Sequence, residues 1–525
     1  MQFKKEFNSS GPNIPARHYT LARAALMAKG KQLVYNDRYF TLFAPRQSGK
    51  STFFQMLGEQ LKTEGYKVCY TNFEYFHTIS EASFLADLAI EMRKAWGIEV
   101  DNSDFVTLAQ SVKQVDNQKF VLVVDEVEGI SAAYLHTFLH TIRGLYHSRD
   151  NHSLKSVILV GVRNITGTMQ GAVSPFNINE ELEVPYFTND EILELLAMHE
   201  TESARLGSPQ LFSPKVKERI CYMTAGQPGL VNGFAGSLVQ LYPDVPVFEF
   251  EHYLEVETNY IAIKINKNVS NIVEKAKKHR KFVEQLLFDE FPRKYMIQDE
   301  RVKELTVNCV ITADKKKNIV FGVPLYRKCL HAAFAAPMHG EAEEIMENLI
   351  VSDYFLPTKQ LNVDKIIRDY QLYVKRRGFR YFMHKDEKGK LSGLKEAALV
   401  YSFETYIQSF LQVLGGKSYL EPHVALGRSD LLVNIDGREF VIEAKIFNYE
   451  KQFEDGKQQL AYYIKSLGLT EGVYLVFAKN TITNPILQEA DEIIEGVHIK
   501  TYLVRFDVET DFSAPKKSKK IGSVQ

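Results

Sequence analysis

Apolar positions in the first 190 residues fall in short runs separated by amphipathic stretches, the alternation that βα units around a parallel sheet produce. The runs RYFTLFA, YKVCYTNFE, KFVLVVDEV and SVILVGV read as strands, each followed by a segment able to form a helix or loop. From Asn189 to about Leu241 the spacing becomes i, i+3, i+4, in NDEILELLAMHE and SPKVKERICYM, with GQPG as a break. That change predicts a helical lid.

Between about residues 270 and 335 the pattern shifts again. HRKFVEQLLFDEF is amphipathic, RVKELTVNCVI runs from helix into strand, and ADKKKNIVF supplies a turn and a second strand. The order resembles a winged helix, a small fold that docks DNA or protein, and fits a structural spacer equally well. A helical connector follows from Gly340 to about Phe382, then the polar stretch DEKGKLSG, a candidate hinge. A long helix is expected over Leu394–Leu414, then two strands within GRSDLLVNIDGREFVIEAKIF, a helix around QQLAYYIKSLG and the strand GVYLVFA. The expected fold class is a multidomain α/β protein. Its parts are a nucleotide-binding core (1–190), a helical lid (191–265), a winged-helix-like and helical middle (266–385), an α/β/α C-terminal domain (386–510) and a basic tail (511–525).

Composition narrows the function classes. At 525 residues, 45% hydrophobic and 25% charged, the chain suits several packed domains. No apolar run is long enough to cross a membrane and no signal core opens the chain, so a cytoplasmic protein without membrane contact is expected. Cys69, Cys221, Cys309 and Cys329 are scattered singly, without ligand spacing. The net charge is −1, so any nucleic-acid surface must be local; basic runs occur at Glu274–Lys281, Val374–Arg380 and in PKKSKK.

Two stretches carry chemistry. APRQSGKS fits the phosphate-loop pattern GxxxxGK[ST] at every defined position but the first, where Ala44 replaces glycine. Between a strand and a helix, the loop Ala44, Pro45, Arg46, Gln47, Ser48, Gly49 would turn its N–H groups toward phosphate, with Thr52 in the helix beyond. Lys50 would reach the β and γ phosphates, and Ser51 would hold Mg²⁺ through its hydroxyl. About 75 residues on, KFVLVVDEVEGI ends an apolar strand in two acids. Asp125 is placed to support the magnesium shell and Glu126 to polarise an attacking water.

These residues, with the VGVRNI strand and TAGQPGLVN, resemble AAA-type ATPases of the branch that includes the signalling STAND ATPases. The resemblance covers roughly residues 10–240. It implies ATP over GTP, a γ-phosphate sensor at Arg163 or Asn164, and Gln227 and Pro228 near the nucleotide. It also implies a homo-oligomer in which a neighbouring subunit supplies an arginine, with Arg143 and Arg149 as candidates.

In the second stretch Asp430 opens one strand, and Glu443-Ala444-Lys445 lies near the end of the next, beyond a turn at IDGRE. A hairpin brings those ends together, and residues two apart share a face. Two carboxylates and an ammonium thus converge, a set suited to Mg²⁺ or Mn²⁺ and to activating water, although a surface salt bridge would use the same residues.

The order of helix, hairpin with D…ExK, helix with QxxxY and strand resembles the PD-(D/E)XK nuclease superfamily, in particular nuclease domains fused behind AAA-like ATPases. It spans about residues 390–505. It implies that Asp430 and Glu443 hold the metal, that Lys445 is catalytic, that Gln459 and Tyr463 are accessory, and that Glu404, or alternatively Glu396, is the helix acid. The superfamily's proline is absent, since Ser429 precedes Asp430. The expectation is a nuclease gated by ATP that cuts DNA, or RNA, with defence against foreign DNA as a setting. The alternative is an ATP-binding switch or scaffold that grips nucleic acid or protein without cutting.

Overall fold

The computed structural model describes residues 5–44, 48–74, 76–161, 180–262, 267–288, 292–335, 354–356, 361–377, 379, 394–414, 416–420, 423–424, 427–428, 430–435 and 438–506. Pro45, Arg46, Gln47, Arg163, Asn164, most of the expected connector, the DEKGKLSG hinge and the basic tail lie outside these residues. The chain divides into two compact units.

The first unit comprises Met1–Lys275, Met296–Thr312 and Phe321–Tyr326. Its centre is a five-stranded sheet built from β1 (Phe40–Phe43), β2 (Lys67–Asn72), β3 (Phe120–Asp125), β4 (Leu154–Gly161) and β5 (Glu181–Glu183). The order is β2-β3-β4-β1-β5 and every pairing is parallel. This is the α/β arrangement of a phosphate-loop nucleotide-binding core. Every residue of β3 is buried, because helices cover both faces of such a sheet. Successive side chains of β3 serve opposite cores: Val121 and Val123 pack with Phe53 and Leu57 of the helix Lys50–Thr63. Leu122 and Val124 pack with Leu88, Met92 and Trp96 of the helix Glu81–Trp96. Trp96 lies flat on Phe120, with ring centroids 4.7 Å apart.

Four helices follow, Asn189–Arg205, Pro214–Thr224, Pro228–Leu241 and Phe250–Ala262, with a short parallel pair β6 (Leu211–Phe212) and β7 (Val247–Phe248) among them. The first is opened by a capping box between Thr188 and Glu191. Arg219, fully buried, donates from Nε and Nη2 to the Glu257 carboxylate at 3.1 and 3.0 Å, tying two of these helices together. The N-terminal segment is strapped to the same region. Lys5 N–H donates to Glu202, and the Tyr19 hydroxyl donates to Glu202 Oε2 at 2.6 Å and lies 3.1 Å from His199 Nδ1.

Strands β8 (Ile311–Ala313) and β9 (Ile319–Phe321) form a two-stranded sheet, preceded by the helices Arg280–Phe288 and Glu300–Val307.

The second unit comprises Ala276–Tyr295, Ala313–Val320 and Arg327–Gln525. Its sheet draws on β10 (Lys417–Leu420), β13 (Leu431–Ile435), β14 (Arg438–Ile446), β15 (Glu471–Lys479), β16 (Ala490–Ile494) and β17 (Val497–Phe506), while β11 (His423–Val424) and β12 (Gly427–Arg428) pair separately. The order is β10-β13-β14-β15-β17-β16, with β14, β15 and β17 mutually parallel and the outer pairings antiparallel. β16 carries no clean sequence signal, since two of its five residues are acidic (ADEII).

Val441 of β14 and Phe447 just beyond its end pack with Leu460 and Ile464 of the helix Glu450–Ser466. Alternation puts Glu443 and Lys445 on that same face. The helix lies close because position 456 is glycine: a Cβ there would stand 2.2 Å from the Tyr474 hydroxyl, which donates to the Phe453 carbonyl. Among the described residues no helix is long and apolar enough to cross a membrane.

Candidate functional site

Two sites emerge, one in each unit. In the first unit, Gly49 stands in the left-handed region (φ 89°), where glycine has no steric penalty, and launches the helix Lys50–Thr63. Lys50 is buried and its Nζ donates to the Ala44 carbonyl at 2.9 Å. Ser48 is buried too, and its Oγ has no hydrogen-bond partner among the described residues. A polar atom left so at a helix entrance fits an anionic ligand. Ser51 follows on the first turn, while Thr52 Oγ1 accepts from the Asn13 N–H at 2.9 Å, fastening the N-terminal strap to this helix.

Asp125 ends β3 and is nearly buried. Burial, then the neighbouring Glu126 charge, pushes its carboxyl up to about 6 despite the Glu126 N–H it accepts and the nearby Lys50 ammonium. Such a carboxylate gains from a cation. Glu126 itself sits in the left-handed region (φ 51°), a strained conformation for a glutamate. A cavity of about 470 Å³ opens here, lined by Lys50, Ser51, Glu126 and Pro228, and also by Arg23 and Phe187.

Gln227 is fully buried, and its side-chain oxygen caps the helix Pro228–Leu241 by accepting from Leu230 N–H, so of the expected lid pair only Pro228 lines the cavity. Arg23 was not expected. It pairs with Glu191 at 2.9 Å, donates to the Pro185 carbonyl and lies over the Phe187 ring. Nothing in local sequence marks it, because those partners lie about 160 residues away. Arg143 donates to His147, and Arg149 stacks on Tyr146 and donates to its carbonyl.

In the second unit the hairpin of β13 and β14 brings Asp430 beside the end of β14, where Asp430 Oδ2 accepts from Ala444 N–H at 2.8 Å. Lys445 Nζ then lies 2.9 Å from Glu443 Oε1, 3.1 Å from Glu396 Oε1 and 3.6 Å from Asp430 Oδ2. Glu443 is 1% exposed, and its carboxylate faces the Lys445 ammonium. Burial and the Asp430 charge push its carboxyl up to about 8. Burial works against the Lys445 charge, but Asp430, Glu443 and Glu396 outweigh it and raise its pKa.

The helix acid against Lys445 is Glu396, in the first turn of Glu396–Leu414, not Glu404. Glu404 is buried elsewhere, accepting from Ser418 Oγ at 2.8 Å and from Gln408, and burial pushes it up to about 7. Gln459 donates to the Tyr463 hydroxyl one turn on, and their helix covers the face that carries Glu443 and Lys445.

Among the described residues no three His, Cys, Asp or Glu side chains form a group able to hold a metal ion. Asp430 and Glu443 are two, with an ammonium where a third ligand or a cation would stand. Two carboxylates plus waters is nevertheless an ordinary share for Mg²⁺, and carboxylate oxygens suit a hard cation.

A family model described as an AAA domain matches residues 34–169. No curated protein matches the chain. Similar solved structures include a Walker-type ATPase of Pyrococcus abyssi, with 14% identity, TM-score 0.46, and 62% of this chain and 99% of that one covered. The ORC1 protein of Aeropyrum pernix in complex with DNA has 12% identity and TM-score 0.34, covering 61% and 95%. Cdc6p from Pyrobaculum aerophilum has 15% identity and TM-score 0.34, covering 63% and 97%. These likenesses are distant, so the ATPase assignment rests on the AAA match and on the cavity.

Proposed function

We propose that the protein is an ATP-gated, metal-dependent nuclease that hydrolyses DNA phosphodiester bonds, with an AAA-type ATPase controlling a PD-(D/E)XK-like site. The observation that carries the cutting role is the convergence of Asp430, Glu443 and Lys445, with the buried Glu443 carboxylate 2.9 Å from the Lys445 ammonium.

In the ATPase unit, Lys50 neutralises the β and γ phosphates and the loop's N–H groups hold them in place. Ser51 and Asp125 would hold Mg²⁺, which supplies charge neutralisation at the leaving phosphate. Glu126 accepts a proton from the water that attacks the γ-phosphate.

In the second unit, Asp430 and Glu443 would hold Mg²⁺ or Mn²⁺, which supplies Lewis-acid polarisation of the scissile phosphate. Lys445 orients the attacking water and offsets the charge that develops on the phosphate oxygens. Glu396 keeps that ammonium charged and aimed, a positioning role. Hydrolysis of ATP, in a homo-oligomer, gates access to this site, and defence against foreign DNA is a setting that suits such a gate.

Wild type incubated with plasmid, Mg²⁺ or Mn²⁺ and ATP should nick or linearise DNA, whereas Lys445→Ala should not. Equal inertness of both toward DNA and RNA would refute the proposal. It would favour a scaffold that grips nucleic acid or protein, a reading supported by the ammonium lodged among the acids, as in a purely structural ion-pair network.

A further inference from the structure

Four lysines of the second unit gather around one turn. Lys315, Lys316 and Lys317 are exposed in the segment between Asp314 and Asn318, and Lys294 is exposed beside them. The neighbouring segment is paired to this turn: Lys294 bridges Asn318 in antiparallel register, Tyr295 N–H donates to the Lys317 carbonyl at 2.9 Å and Ile319 N–H to the Arg293 carbonyl at 2.7 Å. Lys294 Nζ donates to the Lys316 carbonyl at 3.2 Å and to Asn318 Oδ1 at 3.0 Å.

The one acid of the turn is used internally. Asp314 Oδ1 accepts from Lys316 N–H at 2.8 Å and Asn318 N–H at 2.7 Å, and Oδ2 accepts from Asn318 Nδ2 at 3.1 Å. Lys317 closes the turn in the left-handed region (φ 58°), its N–H donating to the Asp314 carbonyl at 2.9 Å. Lys294, Lys315, Lys316 and Lys317 thus share a turn whose own acid is Asp314, on a chain whose whole net charge is −1.

A turn serving only solubility needs no such fixed backbone, and holding like charges together costs repulsion that a polyanion relieves. Lysine ammoniums on flexible stems meet phosphate as point charges and carry no sequence information. Duplex DNA carries one phosphate charge per about 1.7 Å of its axis and returns more counterions per phosphate neutralised than a single strand does, and it is the substrate proposed above. We infer that this turn is a sequence-independent docking surface for the phosphate backbone of duplex DNA. The inference rests on the proposed DNA substrate, yet it is independent of whether the bond is cut.

The test is binding of the full-length protein to a short fluorescent duplex of arbitrary sequence, in EDTA, at salt from about 50 to about 200 mM. The comparison is the triple variant Lys315→Gln, Lys316→Gln, Lys317→Asn, asparagine being tolerant of the left-handed position. Without those three ammonium groups to pair with phosphate, the slope of log affinity against log salt should shrink by about 2 to 3. The drop in affinity across that salt range should become smaller by roughly 40-fold. Lys294→Gln, which leaves the turn's own lysines in place, should shrink the slope by about 1. Melting and ATP hydrolysis should stay at wild-type levels.

Unchanged affinity and slope in both variants, wild type that ignores duplex DNA, or an effect confined to RNA would each overturn the inference. Wild type that binds through this turn but leaves plasmid intact would refute cleavage alone. Plasmid cut by a triple variant that binds like wild type would refute docking alone.

Discussion

Replacing Lys445 by methionine keeps the volume of the side chain and removes the charge that holds three acids together. With all three acids ionised, its ion pairs at 2.9, 3.1 and 3.6 Å are each worth roughly 4–6 kcal/mol of gross attraction at an effective dielectric of about 20. Loss of ammonium hydration and mutual repulsion of the acids offset most of that, and breaking a buried pair costs roughly 3–5 kcal/mol net. Glu396 is 34% exposed and screened by solvent, so the low end, about 3 kcal/mol, is expected. That corresponds to a fall of roughly 6–12 °C in the melting of the second unit.

The sign with pH follows from Glu443, whose carboxyl is raised from 4.5 to about 8 even with Lys445 beside it. A raised carboxyl favours the folded state while protonated, and that advantage is lost as pH rises from the unfolded value through the folded one. Removing the ammonium enlarges the shift, so the variant's deficit should be small near pH 5 and largest near pH 8. Mn²⁺ near pH 8 should then raise the variant's melting temperature more than the wild type's, since the competing ammonium is gone. Calorimetry across pH, with and without Mn²⁺, checks this. Identical melting at every pH, or equal effects of Mn²⁺ on both proteins, would refute the idea that Lys445 stands in a cation's position.

Lys50→Ala should abolish ATP hydrolysis and leave the fold intact, and hydrolysis persisting at the wild-type rate would displace the phosphate loop from its role. Asp125→Asn should stabilise the nucleotide-free protein above about pH 6: the native carboxyl, raised from 3.8 to about 6, gives up stability as pH climbs between those values, about 2–3 kcal/mol in all. Thermal melts from pH 4 to 8 should therefore show the gap between variant and wild type opening in that window and staying constant above it. Glu396→Gln should slow DNA cleavage at least tenfold, while Glu404→Gln, in a pocket already satisfied by Ser418 and Gln408, should cut at near wild-type rate and melt no lower; the reverse ranking in a plasmid assay would reassign the helix acid.

Much of this was legible locally. The run FVLVVD can only be a strand covered on both faces, and strand alternation alone puts Glu443 and Lys445 on one face. The choice between Glu396 and Glu404 was not legible, because two acids in one apolar helix differ only in what the fold brings to them. Glu404 meets Ser418 of β10, whereas Glu396 in the first turn reaches the end of β14. Gln227 reads like a ligand-facing residue of the lid, yet a helix that begins with proline needs a cap, and its side chain serves that need. The N-terminal strap has no periodicity to read, being held by single side-chain bonds to distant residues.

That strap sets a timetable for biosynthesis. Tyr19 leaves the ribosome early, but its partner Glu202 lies 183 residues later in the chain. At about 5–20 residues per second the wait is roughly 10–40 s, during which the β-sheet of the first unit can be completed while one wall of the nucleotide cavity is still missing. A nascent chain therefore completes the lining of that cavity only after Pro228 has emerged.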